Sequence, residues 1–476
     1  MLYTLITKSI YLFFFFKICM GDVKHKKKTY VITSAQALAK PNDQFLDSLE
    51  SYIDKMHAEL IILPMIGSSA SEDYVPENFH ERILEYGLLY ERKPLNENIG
   101  IEQFNVRPYQ IDPITGLQRF AQRERSLIFA SPKQRWKYIP HSNSKMPKAL
   151  ITTGSSTEPN YATGDDVSAE RRRLGNIALR DHEYGAIVVE VINEKKYHWR
   201  NLVSQKNGKF SDLGVEYDGR KLRDVRPLAM VCGDWHTGYT DRKVRKATLD
   251  MIAEYEPERL ILHDFFDGYS VSHHMQKQFI YQLIREGADK GNLSLEQELL
   301  LCGKELEIIA NKVGNGQIYI IQSNHLEFLN RYLDEGRFIK DPINARIAFK
   351  MASAYADGKN PVEEGIKYVY GVPVNVTFLT RWDDLKIRGY QLGNHGDTGP
   401  NGGRGNITSK ENDFGKSITG HVHKSEKLRQ TFTVGTMIPF DIFYIRGNPV
   451  AWTHSHAFIY PTSVQMVNII DGEYKR

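Results

Sequence analysis

Five short fragments, met in order along the chain, carry residue types that hold metal ions. The first, Val231-Cys-Gly-Asp-Trp-His-Thr-Gly238, sets Asp234 and His236 two positions apart after the apolar run Pro227 to Val231. In extended backbone such residues share a face, so a carboxylate and an imidazole can reach one ion together. The second, Leu260-Ile-Leu-His-Asp-Phe-Phe-Asp-Gly268, ends an apolar run in Asp264 and Asp267. The third, Ile318-Tyr-Ile-Ile-Gln-Ser-Asn-His325, ends in Asn324 and His325. The fourth, Tyr390-Gln-Leu-Gly-Asn-His-Gly-Asp397, supplies His395, and the fifth, Ser417-Ile-Thr-Gly-His-Val-His423, supplies His421 and His423. Hard oxygen donors mixed with imidazoles suit Mn, Fe, Zn or Ni better than a thiolate set would.

Taken together and in this order, the fragments resemble the pattern of the calcineurin-like metallophosphoesterases: D-x-H, G-D-x-x-D, G-N-H, a lone His, then G-H-x-H. The resemblance runs from about Leu228 to Thr436. It implies two divalent metal ions, with Mn first and Fe, Zn, Ni or Mg as alternatives. Asp234, His236, Asp264 and His423 would hold one ion. Asp264, Asn324, His395 and His421 would hold the other, with Asp264 bridging. It also implies a bridging water of lowered pKa that attacks a phosphoryl group. His325 would be the general acid for the leaving alkoxide, oriented by Asp267. The chain departs from the pattern at four places. His263 and Gly268 stand for the usual Gly and Arg, Ser323 for a Gly, and Leu326 for a common acidic residue. None removes a ligand.

The elements that must position these residues follow from periodicity. Apolar runs ending in Asp, Asn or His predict strands whose carboxyl ends share one crevice. Asp241 to Tyr255 has helical spacing, with Arg242, Lys243, Arg245 and Lys246 on its early turns. The interval between Asp264 and Asn324 predicts two helices. The second opens at the capping box Ser294-Leu-Glu-Gln297 and closes at Gly314 and Gly316. A further helix is expected near Ile343 to Tyr355, and strands near Val374 to Leu379 and Thr431 to Gly435. His273 and His274 read as either structural or substrate-facing. Arg404, in the glycine-rich segment after His395, reads as a loop residue or an oxyanion contact. His454 and His456 carry no partner motif and stay outside the expected site.

The 476 residues exceed a typical single domain, so the expected organisation has three parts. Residues 1–28 form an apolar and basic tail, residues 29–217 a separate smaller α/β domain, and residues 218–476 the metallophosphoesterase domain. The second part reads as a βαβ unit over Thr29 to Pro64, a helix at Glu77 to Tyr86, and strands at Leu127 to Ala130 and Ala149 to Thr153. A strand pair follows, Gly185 to Ile192 and Lys195 to Ser204, joined by Asn193-Glu194. Asp212 to Arg226 reads as a linker. Thr153-Gly-Ser-Ser-Thr157 reads as a turn rather than a phosphate cradle, since it lacks the Gly-Lys-Ser/Thr of a P-loop. In the tail, Ile10 to Phe16 is apolar but short of the ~20 residues that span a bilayer, and no small-residue cleavage site follows. It reads as a translational extension or loose tail, an anchor, or a signal, in that order.

Three cysteines (Cys19, Cys232 and Cys302) make no disulfide framework, and the chain reads as cytoplasmic, in the producing or host cell. A net charge of +4 allows an anionic substrate without marking a strong nucleic-acid binder. The fold class expected is α/β, a four-layer αββα sandwich preceded by the smaller domain. The function expected is hydrolysis of a phosphoester, with DNA the first choice of substrate by similarity to the repair-exonuclease branch of the family. The added domain is also similar to that of early DNA-degradation proteins of some tailed phages. The alternatives are a phosphomonoesterase or nucleotidase, and a metal-binding scaffold without activity. Lys and Arg candidates for a DNA path are Arg119, Arg123, Arg125, Arg171, Arg172, Arg173, Arg242 to Lys246 and Arg404. A homo-oligomer is compatible with this reading; a membrane partner is not expected.

Overall fold

Which side chains a strand buries follows from its two-residue period, and here that period sorts the core into layers. The computed structural model describes residues 27–65, 75–123, 125–141, 147–276, 294–442, 445 and 447–475. One sheet has six strands in the order Val376–Phe378, Gln317–Ile320, Arg259–Leu262, Ala229–Val231, Ser455–Ile459 and Val464–Asn468. The first four run parallel; Ser455–Ile459 is antiparallel to both of its neighbours. Met230, Leu260, Leu262, Ile318 and Ile320 point to one face and pack on the helices Arg242–Tyr255 and Leu295–Val313 through Val244, Ile252, Leu299 and Leu306. Ala229, Val231 and Ile261 point to the other face, where they meet Ile418, Phe432 and Val434 of a second, ten-stranded sheet.

Both helices begin as their sequences direct. Asp241 accepts from the backbone N–H groups of Lys243 and Val244, and Ser294 accepts from that of Gln297. Gly314 ends the second helix at positive φ. The expected helix near 343–355 is found at Ala345–Ala356. Of the two helices expected between Asp264 and Asn324, the second is Leu295–Val313; a helical turn is described at His273–Gln276, and residues 277–293 lie outside the described residues.

The ten-stranded sheet corrects the expected boundary near residue 217. Its order is Lys386–Ile387, Tyr390–Gln391, Ser417–Thr419, Thr431–Thr433, Glu426–Leu428, Trp136–Ile139, Lys148–Thr152, Ser126–Phe129, Ile99–Ile101 and Lys93–Pro94. Five strands come from each side of the supposed boundary. They join where Lys427 pairs antiparallel with Trp136 and Glu426 with Lys137. The buried Arg135 clamps this seam, donating to the carbonyls of Lys427 (2.6 Å) and Trp136 (2.7 Å) and to Glu426 Oε1 (2.8 Å). The physical reason is edge pairing: alone, Glu426–Leu428 would present an open ladder of backbone donors and acceptors. Residues 29–217 are therefore not a separate domain.

The remaining early strands form a four-stranded sheet, ordered Glu59–Met65, Lys28–Gln36, Gly185–Val191, Tyr197–Val203. Its first two strands are parallel and flank the helix Asp43–Met56, the expected βαβ unit. Its last two are the expected antiparallel pair. Asn201 ties it to the six-stranded sheet, donating to the Val464 carbonyl (3.0 Å) and accepting from the Met466 N–H (2.9 Å). Two local expectations are also corrected. The supposed linker 212–226 is mostly a three-stranded meander, Phe210–Asp212, Val215–Asp218 and Lys221–Asp224, turned at Leu213-Gly214 and Gly219 with positive φ. The supposed helix 77–86 is a 3-10 turn, Pro76–Asn78, and a separate short helix, Glu81–Glu85. Among the described residues no helix is long and apolar enough to cross a membrane. The apolar segment Ile10 to Phe16, Cys19 and most of the basic tail lie outside the described residues.

The seam makes a prediction. Residues 218–476 expressed alone should show no cooperative thermal unfolding by circular dichroism, whereas the intact chain should. An isolated fragment melting as the intact chain does would restore the boundary near 217.

Candidate metal centre

The ligand-bearing fragments all leave the carboxyl ends of strands. Asp234 and His236 follow Ala229–Val231, Asp264 and Asp267 follow Arg259–Leu262, and Asn324 and His325 follow Gln317–Ile320, three adjacent parallel strands. His395 follows Tyr390–Gln391, and His421 and His423 follow Ser417–Thr419, in the facing sheet. The crevice thus opens where two sheets present strand ends to each other. The backbone turns sharply there. His236, Asp264, His421 and His423 all have positive φ, between 44° and 70°. For non-glycine residues this costs about 1–3 kcal/mol each, and such strain gathers at functional sites. Gly420 has no room for a side chain, since a Cβ would lie 2.1 Å from Asp234 Oδ1.

Asp234, His236, Asp264 and His423 are all buried and offer ligand atoms that lie within 4.8 Å of one another. His423 Nε2 is 3.1 Å from Asp234 Oδ2 and 3.2 Å from His236 Nε2. His236 Nε2 is 3.7 Å from Asp264 Oδ2. On the other side of Asp264, His395 Nε2 is 3.2 Å from the same oxygen. The rings of His395 and His421 meet edge to face at 5.3 Å. The His421 backbone N–H donates to Asp234 Oδ2 at 2.8 Å. Asp264 therefore touches imidazoles of both expected ligand sets.

The donor set fits a cation. Asp234 Oδ1, Asp264 Oδ1 and Asn324 Oδ1 are buried atoms with no hydrogen-bond partner among the described residues. An unsatisfied buried carboxylate oxygen is costly, and a cation relieves that cost for several oxygens at once. These buried Asp and His groups could hold metal ions.

Asp267 faces two of the expected site histidines. Its carboxylate faces His236, with Oδ1 2.8 Å from Nδ1, and lies 3.7 Å from His325 Nδ1. What receives the Nδ1–H of His325 is the Asp267 backbone carbonyl, at 2.6 Å. A carboxylate behind a metal-ligating imidazole fixes its tautomer and raises its basicity, so Asp267 serves His236 through its side chain and His325 through its backbone. His325 packs edge to face on His236 at 4.7 Å, and its side chain is 22% exposed where that of His236 is 1%. It lies at the mouth of the cluster.

Several supporting residues escaped sequence reasoning. His456 Nδ1 accepts from the Gly233 N–H at 2.9 Å, and its Nε2 is 2.8 Å from Thr248 Oγ1. Arg381 grips Asp397 with two hydrogen bonds (2.6 and 2.7 Å) and Glu327 with a third (2.8 Å), linking the His395 loop to the His325 helix. Glu298 accepts from the Tyr269 and Ser270 N–H groups, and burial with the nearby Asp267 charge pushes its carboxyl up to about 7. His273 and His274 pack against Phe328, beside the His325 helix.

Ionisation follows from these contacts. Burial opposes charge on His395, but Asp264 outweighs it and raises the imidazole to about 9. Burial likewise opposes charge on His236, and the Asp267 hydrogen bond overcomes it, so this imidazole is also raised. Burial lowers His423 against the pull of Asp234, and lowers His421 with help from His395. Burial would raise Asp264, yet His395 and His325 hold it well below the usual carboxylate range.

The chain is similar throughout to Protein A1 of Escherichia phage T5, 26% identical over 488 aligned positions that span 95% of this chain and 84% of that protein. No family model and no solved structure matches the chain.

A pH dependence follows. His236 and His395 are raised in the folded protein, so their ion pairs contribute stability in full below the ordinary histidine value of 6.5. For His395 that stability is lost as pH rises through about 9, and for His236 as pH rises through its own raised value. Metal-free protein should lose thermal stability across this window, and divalent metal should restore it most at the alkaline end, because metal displaces these protons. A melting temperature of the metal-free protein that is flat over the window would refute the His395–Asp264 ion pair.

Proposed function

We propose that this chain is a dinuclear-metal phosphoesterase of the calcineurin-like kind that hydrolyses DNA. One observation carries the reading: four buried donors from three distant fragments converge within 4.8 Å, and His325 stands at their mouth. The two packed sheets, with helices on the outer face of the six-stranded one, support an αββα sandwich built from strands of both halves. Asp234, His236, Asp264 and His423 would hold one ion, and Asp264, Asn324, His395 and His421 the other, with Mn the first choice. Such a pair supplies charge neutralisation on phosphoryl oxygens and a more acidic water. Because His325 Nδ1–H is committed to the Asp267 carbonyl, Nε2 is the nitrogen left to carry a proton to the leaving oxygen. The carboxylate of Asp267 keeps His236 oriented, and the buried surroundings exclude bulk water from the donors. A scaffold would not need a partly exposed imidazole so placed.

His325→Ala should keep its metal and lose about 10²–10⁴-fold in rate on alkyl phosphoesters. The loss should shrink on nitrophenyl esters, whose leaving group needs no proton. Equal losses on both would give His325 another role.

The surface narrows the candidates for a DNA path. Arg245 is paired with Glu305, Lys246 with Asp250 and Arg172 with Asp165. Exposed Arg119, Arg123, Arg171, Arg173, Arg242, Lys243 and Arg404 remain. A polymer substrate releases counterions at each phosphate contact, so DNA binding by the His325→Ala protein should fall steeply with salt. It should weaken when Arg171 and Arg173 are replaced together. Absence of DNA binding at low salt, with nucleoside monophosphates hydrolysed by the native protein, would favour the nucleotidase reading.

A further inference from the structure

His263 stands where the resembled pattern has glycine, and the donor set above does not use it. It is fully buried, directly before Asp264, and its Nδ1 lies 3.3 Å from Nδ1 of His395. His395 is also fully buried. Its Nε2 faces Asp264 Oδ2 at 3.2 Å. Its Nδ1 has no other polar partner among the described residues. Two facing ring nitrogens at this distance cannot both carry protons: one donates and the other accepts.

A histidine that ligates a metal through Nε2 keeps its proton on Nδ1 and gives it to an acceptor behind it. In the neighbouring half of the site, the Asp267 carboxylate is that acceptor for His236. The His395 side has no such carboxylate at its Nδ1. We propose that His263 is the positioning residue there: its Nδ1 lone pair accepts the Nδ1–H of His395 and turns the His395 Nε2 lone pair towards the ion-binding space beside Asp264. His263 then carries its own proton on Nε2, the buried nitrogen without a hydrogen-bond partner among the described residues. The ring is locked from behind, since a Cβ on Gly420 would come within 2.9 Å of His263 Cβ. This inference rests on the dinuclear reading above, because it assigns His395 to one of two ion sites.

The amides separate an acceptor from a space-filler. Asparagine can place Oδ1 where Nδ1 of histidine lies, glutamine places its oxygen near Nε2, and phenylalanine keeps the ring without an acceptor. Calorimetric titration of metal-free protein with Mn²⁺ should show two classes of site in the native chain. His263→Phe should weaken one class about 10–100-fold and leave the other unchanged. His263→Asn should recover most of that affinity, and His263→Gln should not. In a His395→Ala background, His263→Phe should change nothing further, as expected for a residue that acts through His395. Unchanged affinity in His263→Phe, equal recovery by Gln and Asn, or a further loss in the His395→Ala background would each overturn the proposal. Thermal unfolding of each metal-free variant checks that it is folded, and the Asn variant carries the comparison if the Phe variant is not. A native protein that takes up no Mn²⁺ would instead bring down the metal reading itself, an outcome visible before any variant is made.

Discussion

Two aspartates buried away from the surface are the constraint on which the site depends. Asp234 and Asp264 are 0% and 1% exposed, and each leaves one carboxylate oxygen unsatisfied. Buried charge of this kind survives only when paired. Here the pairing is supplied by imidazoles from the facing sheet, His395 and His423, and by the backbone N–H of His421. The same geometry that stabilises the carboxylates points their remaining lone pairs into one small space. A cluster of donors that could hold metal ions is therefore a direct result of bringing these strand ends together.

That meeting has conditions. The six-stranded sheet must hold three adjacent parallel strands in register, and the ten-stranded sheet must bring His395, His421 and His423 opposite them. The second sheet is continuous because Trp136–Ile139 pairs with Glu426–Leu428, just beyond His423 in the chain. Residues 93–152, distant in sequence from every ligand, thus form part of the site's foundation. Trp136, fully buried between Trp199 and Phe432, gives the seam its apolar core.

Around the donors, the supporting groups divide by sheet. Asp267 and Glu298 brace the turn after Arg259–Leu262, and His456 braces the turn after Ala229–Val231. On the facing side Arg381 binds Asp397 and Glu327 and so ties the His395 loop to the helix that follows His325. Each of these groups hydrogen-bonds a loop that carries a donor, which suits positions where the backbone is held at unfavourable φ.

The candidate donors were legible in the sequence because their spacing is local. Asp234 with His236, Asp264 with Asp267, and His421 with His423 each lie within one turn after an apolar run, and an apolar run ending in polar residues implies a strand end. The βαβ unit, the helix caps and the hairpin at Asn193 were legible for the same reason, since periodicity and capping act over a few residues. Strand pairing is not local. Nothing near Trp136 says that its partner is Lys427, so the seam appeared only in the folded chain, and with it the error of a separate first domain. The division of labour at Asp267 was hidden too, because a carboxylate and a backbone carbonyl of one residue can face different histidines only once two loops pack together. His263 and His456 lacked any motif, and their roles depend on which nitrogen meets which neighbour. Residue type and spacing thus determined which candidate donors this protein carries; the tertiary structure alone decided which of them meet, because only burial forces distant polar groups to satisfy one another.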